Sequence, residues 1–530
     1  MVRSLAVTAA LLFFSAPLLV HTPAHAIPAQ DSERNELSAN GIMRDLLTQN
    51  IPEDLRTFGL SRNDLLDFYG RRNYQPFYYR DFTWRDDTVD ALNVMQAAGD
   101  HGLKPANYWA VGMNNLAPSY DWEDIARRDL VLTAATLRYA SDFFNGRYPQ
   151  ALKRQPSEIL LDFDDASDLP DFLTQLAPRK KEYLDLQDYL ARMRRVASSD
   201  LAKIDEGPML RRGVEHPTVA QLRQHLLATG DFAPVEGEIG DENLFDDALF
   251  EAVKGYQARN GLSVDGIIGQ NTKRRMNTPP TKRLGLVLAN LERLRWEEQL
   301  ETVRHVRVNI ANYTLVARDG DEDVLNMNVV VGRQTRQTPV LSDRITSLKF
   351  SPDWTVPRSI MEKDYLEHIR RNPGYAIEQG FEVFFGGQIV NPFRIDWMDE
   401  EISTKVTLRK PPSSYGPLGG VRFSLTNDQA IYLHDTPSRD LFSRSHRAHS
   451  SGCVRVSQPH RLAEYMLNGT PWDSTRIRNA MRAGEIEVAK PTESVQVFLS
   501  YMTAFIGEDG RLQLANDPYN LDQELIARLL

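Results

Sequence analysis

Apolar side chains change their period along the chain, and the changes divide it. Over residues 40–200 the pattern is helical. Leu132, Ala135, Leu137, Tyr139, Ala140 and Phe143 recur at a spacing nearer 3.6 than 2, which predicts a helix over Leu130–Phe144. Asn145-Gly146-Arg147 supplies its stop signal. Aromatic residues crowd Phe68 to Trp84, and no cluster of titratable groups there suggests chemistry, so this region reads as a helical scaffold. Residues 209–278 read as three short helices. Val219, Leu222 and Leu226 share one face of the first. Leu249, Val253 and Tyr256 share a face of the second, over about Asp246–Asn260, with Gly261 as its C-cap. Asp265-Gly266 turns the chain, and Gly269 opens the third. So small a unit, without a nucleophile, suits binding better than catalysis.

From residue 282 onward the period falls to two. Val306, Val308 and Ile310 alternate with Arg307 and Asn309, and Tyr313, Leu315 and Ala317 follow. Val324–Val331 is strand-like. Val421, Phe423 and Leu425 alternate again, Asn427-Asp428 turns, and Ala430–His434 returns. The expectation is a mostly antiparallel β domain over residues 300–506 with a C-terminal extension over 507–530. Residues 358–417, polar and rich in Pro and aromatics, are too long for a plain loop and predict an inserted lid subdomain. The fold class is therefore multidomain α+β.

Length agrees, since 530 residues exceed one ordinary domain. Hydrophobic residues at 42% and charged residues at 25% exclude a largely disordered chain. The net charge of −10, without a long basic run, argues against nucleic acid as partner. At the start, Arg3, an apolar run from Leu5 to Val20 and Ala24-His25-Ala26 together describe a cleavable signal peptide over residues 1–26. The expected location is periplasmic, with an uncleaved N-terminal membrane anchor as the alternative. The chain has one cysteine, so no intramolecular disulfide can form. A lone exported thiol is either buried and inert or kept for its reactivity.

Its surroundings point to reactivity. On the strand ending at His434, Ile431 and Leu433 face one side while Tyr432 and His434 face the other. Nineteen residues on comes Ser450-Ser451-Gly452-Cys453-Val454-Arg455, followed by a helix with Ser457 as candidate N-cap and Pro459 in its first turn. Acyl transfer needs a thiolate, and an imidazole can take the proton and return it to the leaving amine. This makes Cys453 the candidate nucleophile and His434 the base, with His446 and His449 as rivals. Gly452 permits tight backbone geometry, so amides around Gly452 and Cys453 are candidate oxyanion donors. Ser451, Arg455 and Tyr432 complete the candidate oxyanion and substrate-binding set. Arg455 supplies either positive potential or a contact to a substrate carboxylate. The group orienting His434 is open between the Asp435 side chain and a backbone carbonyl. One Cys with scattered His offers no metal site.

Two resemblances follow from these residues. Ala252-Val253-Lys254-Gly255-Tyr256-Gln257, Gly261-Leu262, Asp265-Gly266-Ile267-Ile268-Gly269 and Thr272 resemble the three-helix peptidoglycan-binding domain. His434 through Arg455 resembles the signature of the L,D-transpeptidase catalytic domain, the YkuD-type fold. Asn290–Trp296, His434–Pro437, Leu441-Phe442 and Tyr501–Ala504 are similar to stretches of its large periplasmic multidomain members. Ser451 stands where many relatives carry His, and Arg409–Gly419 follows the subgroup pattern only loosely. The resemblance implies Cys acyl-enzyme chemistry on peptidoglycan tetrapeptide stems, as donor and acceptor, giving 3→3 cross-links. It implies no cofactor or metal, inhibition by carbapenems, and association with other cell-wall synthesis enzymes. An L,D-carboxypeptidase using the same site, or an inactive wall-binding scaffold, are the alternative functions.

Overall fold

The computed structural model describes residues 29–48, 55, 58 and 61–530, apart from 81–82, 110–112, 114–116, 118, 150–152, 157, 160–161, 163–165, 196–202, 234–240, 298–303, 321, 414 and 508. The expected signal peptide and its anchor alternative lie outside the described residues. Among those described, no helix is long and apolar enough to cross a membrane. Residues up to 88, together with 110–135, form one compact unit; 89–109 and 136–530 form another.

In the first unit, helices Ala29–Thr48 and Arg62–Arg71 accompany the start of helix Trp122–Phe144. Ser61 caps the second helix in a reciprocal box with Asp64. The aromatic stretch is organised by a residue that the hydrophobic pattern concealed. Fully buried Asp129 accepts hydrogen bonds from the Tyr69 hydroxyl at 2.6 Å, the Phe77 N–H at 2.9 Å and the Tyr78 N–H at 2.6 Å. Burial pushes its carboxyl pKa up against these donors.

In the second unit, residues 204–278 pack Leu222, Leu226, Leu249, Val253, Tyr256 and Ile268 into a separate small core. Its helices are Pro217–Ala228, Asp247–Arg259 and Gln270–Met276. Asp246 caps the second, and Gly261 follows its end at φ +64°. Gln257 explains the Asp265-Gly266 turn. Its Oε1 accepts from both N–H groups of the turn, at 3.1 and 2.8 Å, and its Nε2 donates to the Ile267 carbonyl at 2.9 Å.

Helix Pro280–Trp296 leads to the β domain. Here two stretches far apart in sequence meet. Thr503 Oγ1 accepts from Asn290 at 3.0 Å and Arg293 at 2.9 Å and donates to Asp522 at 2.9 Å. Arg293 also pairs with Asp522 at 2.6 Å.

The β domain is one eleven-stranded sheet. Its order is 487–489, 347–350, 421–424, 433–434, 454–456, 322–332, 314–319, 305–309, 495–500 and 341–345, with 448–450 pairing beside 322–332. The strand at one end, Leu341–Ile345, is joined to Ser347–Phe350, next to the other end, by Thr346 alone. The sheet therefore curls back on itself around a core including Val306, Leu348, Phe423, Leu433, Val454 and Val456. Most pairs are antiparallel as expected. Leu433–His434 with Val454–Val456, His305–Asn309 with Val495–Ser500, and Ala448–Ser450 with Glu322–Gly332 are parallel, because long connections return those strands in the same direction.

Residues 354–410 form an inserted subdomain beginning slightly earlier than its composition suggests. Strands Gln388–Ile389, Glu382–Phe385, Val406–Lys410 and Trp354–Thr355 form an antiparallel sheet. Short helices cover it, with a core containing Leu366, Ile369, Val383, Trp397 and Leu408. Trp354 and Thr355 belong to it because they pair with Lys410 and Arg409.

Candidate active site

Pairing register assembles the site. His434 is opposite Arg422 on one side and Arg455 on the other, and Leu433 is opposite Val454. With Leu433, Val454, Val421 and Phe423 in the core, alternation puts Tyr432, His434, Cys453, Arg455 and Arg422 together on the opposite face. Fully burying Leu433 stabilises this register by about 1.5–3 kcal/mol. A one-residue slip would exchange Leu433 and His434 between faces.

The strand carrying His434 is shorter than expected, Leu433–His434 rather than Ala430–His434. Ala430 takes a left-handed conformation at φ +56°, and the Asn427 side chain accepts the Ile431 N–H at 3.1 Å and donates to its carbonyl at 2.9 Å. That turn removes Ile431 from the ladder but still delivers His434 to it. Likewise the helix after the cysteine is Pro459–Met466, with Gln458 rather than Ser457 at its cap position. The Ser457 N–H is committed to the Asn328 carbonyl at 3.1 Å.

His434 is 4% exposed. Its Nδ1 lies 2.5 Å from the Asp435 carbonyl. A carbonyl only accepts, so Nδ1 carries the proton and Nε2 is left as the basic nitrogen. Between the two orienting groups open from sequence, the structure has the carbonyl. The Asp435 carboxylate instead accepts from the Gly420 N–H at 2.8 Å, the Thr436 N–H at 2.7 Å and Arg439 at 2.5 Å. The exposed His446 and His449 are occupied elsewhere: His446 Nδ1 meets the Tyr313 hydroxyl at 3.1 Å, and His449 Nε2 the His446 carbonyl at 3.0 Å.

Half-buried Cys453 donates its thiol to the Ala430 carbonyl at 3.5 Å. Burial pushes its pKa up to about 11, against hydrogen bonding from Tyr432 and the positive Arg455 and Arg422. Burial, then Arg455 and Arg422, hold His434 down to about 3. Both shifts favour the neutral form, so at neutral pH the resting site holds a thiol and an uncharged imidazole. Tyr432 touches both groups. Its ring packs edge-on against His434 at 5.7 Å, and its hydroxyl lies beside Cys453 and Trp354 of the inserted subdomain.

Gly452 stands at φ +122°, outside the range L side chains readily adopt. Its N–H, expected as an oxyanion donor, is given to Ser450 Oγ at 3.1 Å. Ser450 Oγ also donates to the Cys453 carbonyl at 2.6 Å, closing the loop on itself. Ser451 Oγ accepts from Arg336 at 3.1 Å, and Arg336 grips Asp364 of the inserted subdomain through both nitrogens at 2.5 Å. Sequence reasoning missed Arg336 and Arg422. Arg422 sits at a polar position of an alternating strand, a weak signal, whereas nothing local marks Arg336. Among the described residues no cluster of His, Cys, Asp and Glu has the form of a metal site.

A single thiol and a tautomer-fixed, neutral imidazole share the polar face of a curled sheet, the two groups that cysteine-dependent acyl transfer requires. Comparison with known proteins makes the class specific. Residues 303–473 match the L,D-transpeptidase catalytic domain family, 63–190 the Scaffold domain and 215–276 a family described as "Putative peptidoglycan binding domain". A protein of Haemophilus influenzae described as "Putative L,D-transpeptidase" is 36% identical over 222 residues, 41% of this chain and 44% of that protein. The chain thus spans less than half the length of this curated relative. A solved L,D-transpeptidase from Xylanimonas cellulosilytica is 15% identical, covers 56% of this chain and 98% of its own, and superposes with a TM-score of 0.19. Residues 303–473 are thus an L,D-transpeptidase catalytic domain, of a cysteine transpeptidase family.

Proposed function

We propose that this protein is a peptidoglycan L,D-transpeptidase that forms 3→3 cross-links, with Cys453 as nucleophile and His434 as general base. The observation carrying the reading is that face of the sheet, where the chain's sole thiol shares Tyr432 with an imidazole whose Nε2 is free to accept a proton. In the resting site both groups are neutral, so proton transfer from Sγ to Nε2 accompanies attack on the carbonyl of the third residue of a donor stem. The Cys453 N–H receives the oxyanion. Collapse breaks the bond to the terminal D-amino acid, whose amine leaves with the proton from His434. A side-chain amine of a second stem then attacks the thioester, gives its proton to His434, and the thiolate leaves and is reprotonated.

Residues 204–278 hold the glycopeptide, and the inserted subdomain, clasped through Arg336 and Asp364, restrains water while the thioester waits for an amine. The chain acts in the periplasm after removal of residues 1–26. The test is mass analysis of products from purified disaccharide tetrapeptide. A dimer joined between the third residues of both stems is expected, with release of one terminal amino acid per link. Tripeptide alone would identify an L,D-carboxypeptidase.

A further inference from the structure

A chain of buried hydrogen bonds runs from the C-terminal extension to the peptide bond just before Cys453. Tyr501 and Tyr519 stack at 5.5 Å, the Tyr519 N–H donates to the Tyr501 hydroxyl at 2.9 Å, and that hydroxyl donates to Asp517 at 2.6 Å. The Tyr519 hydroxyl in turn donates to the Gly332 carbonyl at 2.7 Å and accepts the Thr338 N–H at 3.0 Å. Thr338 Oγ1 accepts the Gly332 N–H at 2.8 Å and donates to the Gly452 carbonyl at 2.6 Å. Thr338, Tyr501 and Tyr519 are all at least 96% buried, with exposures of 2%, 2% and 4%. The turn between Gly332 and Thr338 is tight enough that a Cβ on Gly332 would lie 2.2 Å from the Arg336 carbonyl.

The last bond in that chain has a geometric consequence. In a trans peptide the C=O of one residue and the N–H of the next point in opposite directions. Holding the Gly452 carbonyl on Thr338 therefore aims the Cys453 N–H away from Thr338. That amide meets no acceptor among the described residues, whereas the Gly452 N–H is already used by Ser450. We propose that Thr338, braced by Tyr519, is the positioning residue that aims the Cys453 amide as oxyanion donor. The inference rests on the transpeptidase reading above and assigns a catalytic purpose to the C-terminal extension.

Two reactions of the same thiol separate positioning from general support. Acylation by a tetrapeptide donor or a β-lactam develops an oxyanion; alkylation by iodoacetamide does not. Both are followed by intact mass on the full chain, beside a thermal melt, for Thr338→Val, Thr338→Ser and Tyr519→Phe. Removing one oxyanion donor outright typically costs about 10²–10³-fold in rate; a misaimed donor in Thr338→Val should cost about 10–100-fold in acylation. Alkylation should stay within about twofold, Thr338→Ser should recover most of the acylation rate, and Tyr519→Phe should fall about 3–10-fold in acylation only, since it loosens the brace rather than the contact. Acylation at the parent rate in Thr338→Val overturns the inference, as does an equal fall in both reactions. If Thr338→Val does not fold, the same criteria apply to Tyr519→Phe. A parent protein that alkylates but never acylates would instead sink the transpeptidase reading itself, and this inference with it.

Discussion

The neutral resting state of the site has a sharp kinetic signature in the reaction of Cys453 with iodoacetamide across pH. Burial raises the thiol pKa to about 11, which disfavours the charged form, so the thiolate appears only as pH rises toward that value. At pH 8 a thiol of pKa 11 is about 0.1% ionised, against about 24% for an ordinary thiol of pKa 8.5, making alkylation roughly 200-fold slower than that of a free cysteine. A pKa one unit lower would still leave it about 20-fold slower. Between pH 7 and 10 the rate should climb about tenfold per unit without a plateau. Because His434 is uncharged throughout, held down to about 3, His434→Gln should shift the profile by less than about 0.5 unit. The cysteine is single, so one mass increment on the intact chain reports the reaction. A plateau starting below pH 7, abolished by His434→Gln, would show a preformed thiolate–imidazolium pair and refute the electrostatic account.

Three further outcomes are expected. Asp129→Ala strands the Tyr69 hydroxyl and the Phe77 and Tyr78 amides, each costing about 1–3 kcal/mol when buried unpaired; amide exchange in helix Arg62–Arg71 should accelerate, while acylation of Cys453 is unchanged. Gly419→Ala combines φ +60° with a Cβ 2.4 Å from Asp435, so it should displace the carboxylate that bridges Gly420, Thr436 and Arg439; a loss of about 2 kcal/mol or more is expected in catalytic-domain unfolding, and unaltered stability would contradict the packing. Asp364→Ala removes the bidentate partner of Arg336 and should raise the ratio of hydrolysed to cross-linked product several-fold; an unchanged ratio would remove the clasp from the account.

Periodicity exposed what depends on local alternation. The Val306–Ile310 and Val421–Leu425 strands and the Leu249–Tyr256 helical face were legible, because burial on one side imposes their spacing, whereas of the expected Ala430–His434 strand only Leu433–His434 pairs. Pairing was not legible. That Leu433–His434 runs parallel to Val454–Val456 and is flanked by Arg422 follows from contacts between residues distant in sequence. Asp129 was invisible for a related reason: a carboxylate inside an apolar helix reads as a solvated position until three donors converge on it. Asn290, Arg293 and Thr503 carried a recognisable pattern whose physical purpose, one buried network with Asp522, only the fold displays. In the loop before Cys453, the positive φ of Gly452 was foreseeable from residue type. The capture of its N–H by Ser450 was not, because either amide of the loop fits the chemistry until the loop's own hydrogen bonds are known.

The central claim is a thioester on Cys453 made with the help of His434. Intact mass spectrometry of the full chain mixed with a disaccharide tetrapeptide tests it most directly, alongside Cys453→Ala and His434→Ala. The account predicts an adduct equal to the donor less the free terminal amino acid it releases, absent from Cys453→Ala and formed about 10²–10⁴-fold more slowly by His434→Ala. An adduct that survives in Cys453→Ala, or none on a folded parent protein that still alkylates, would contradict it.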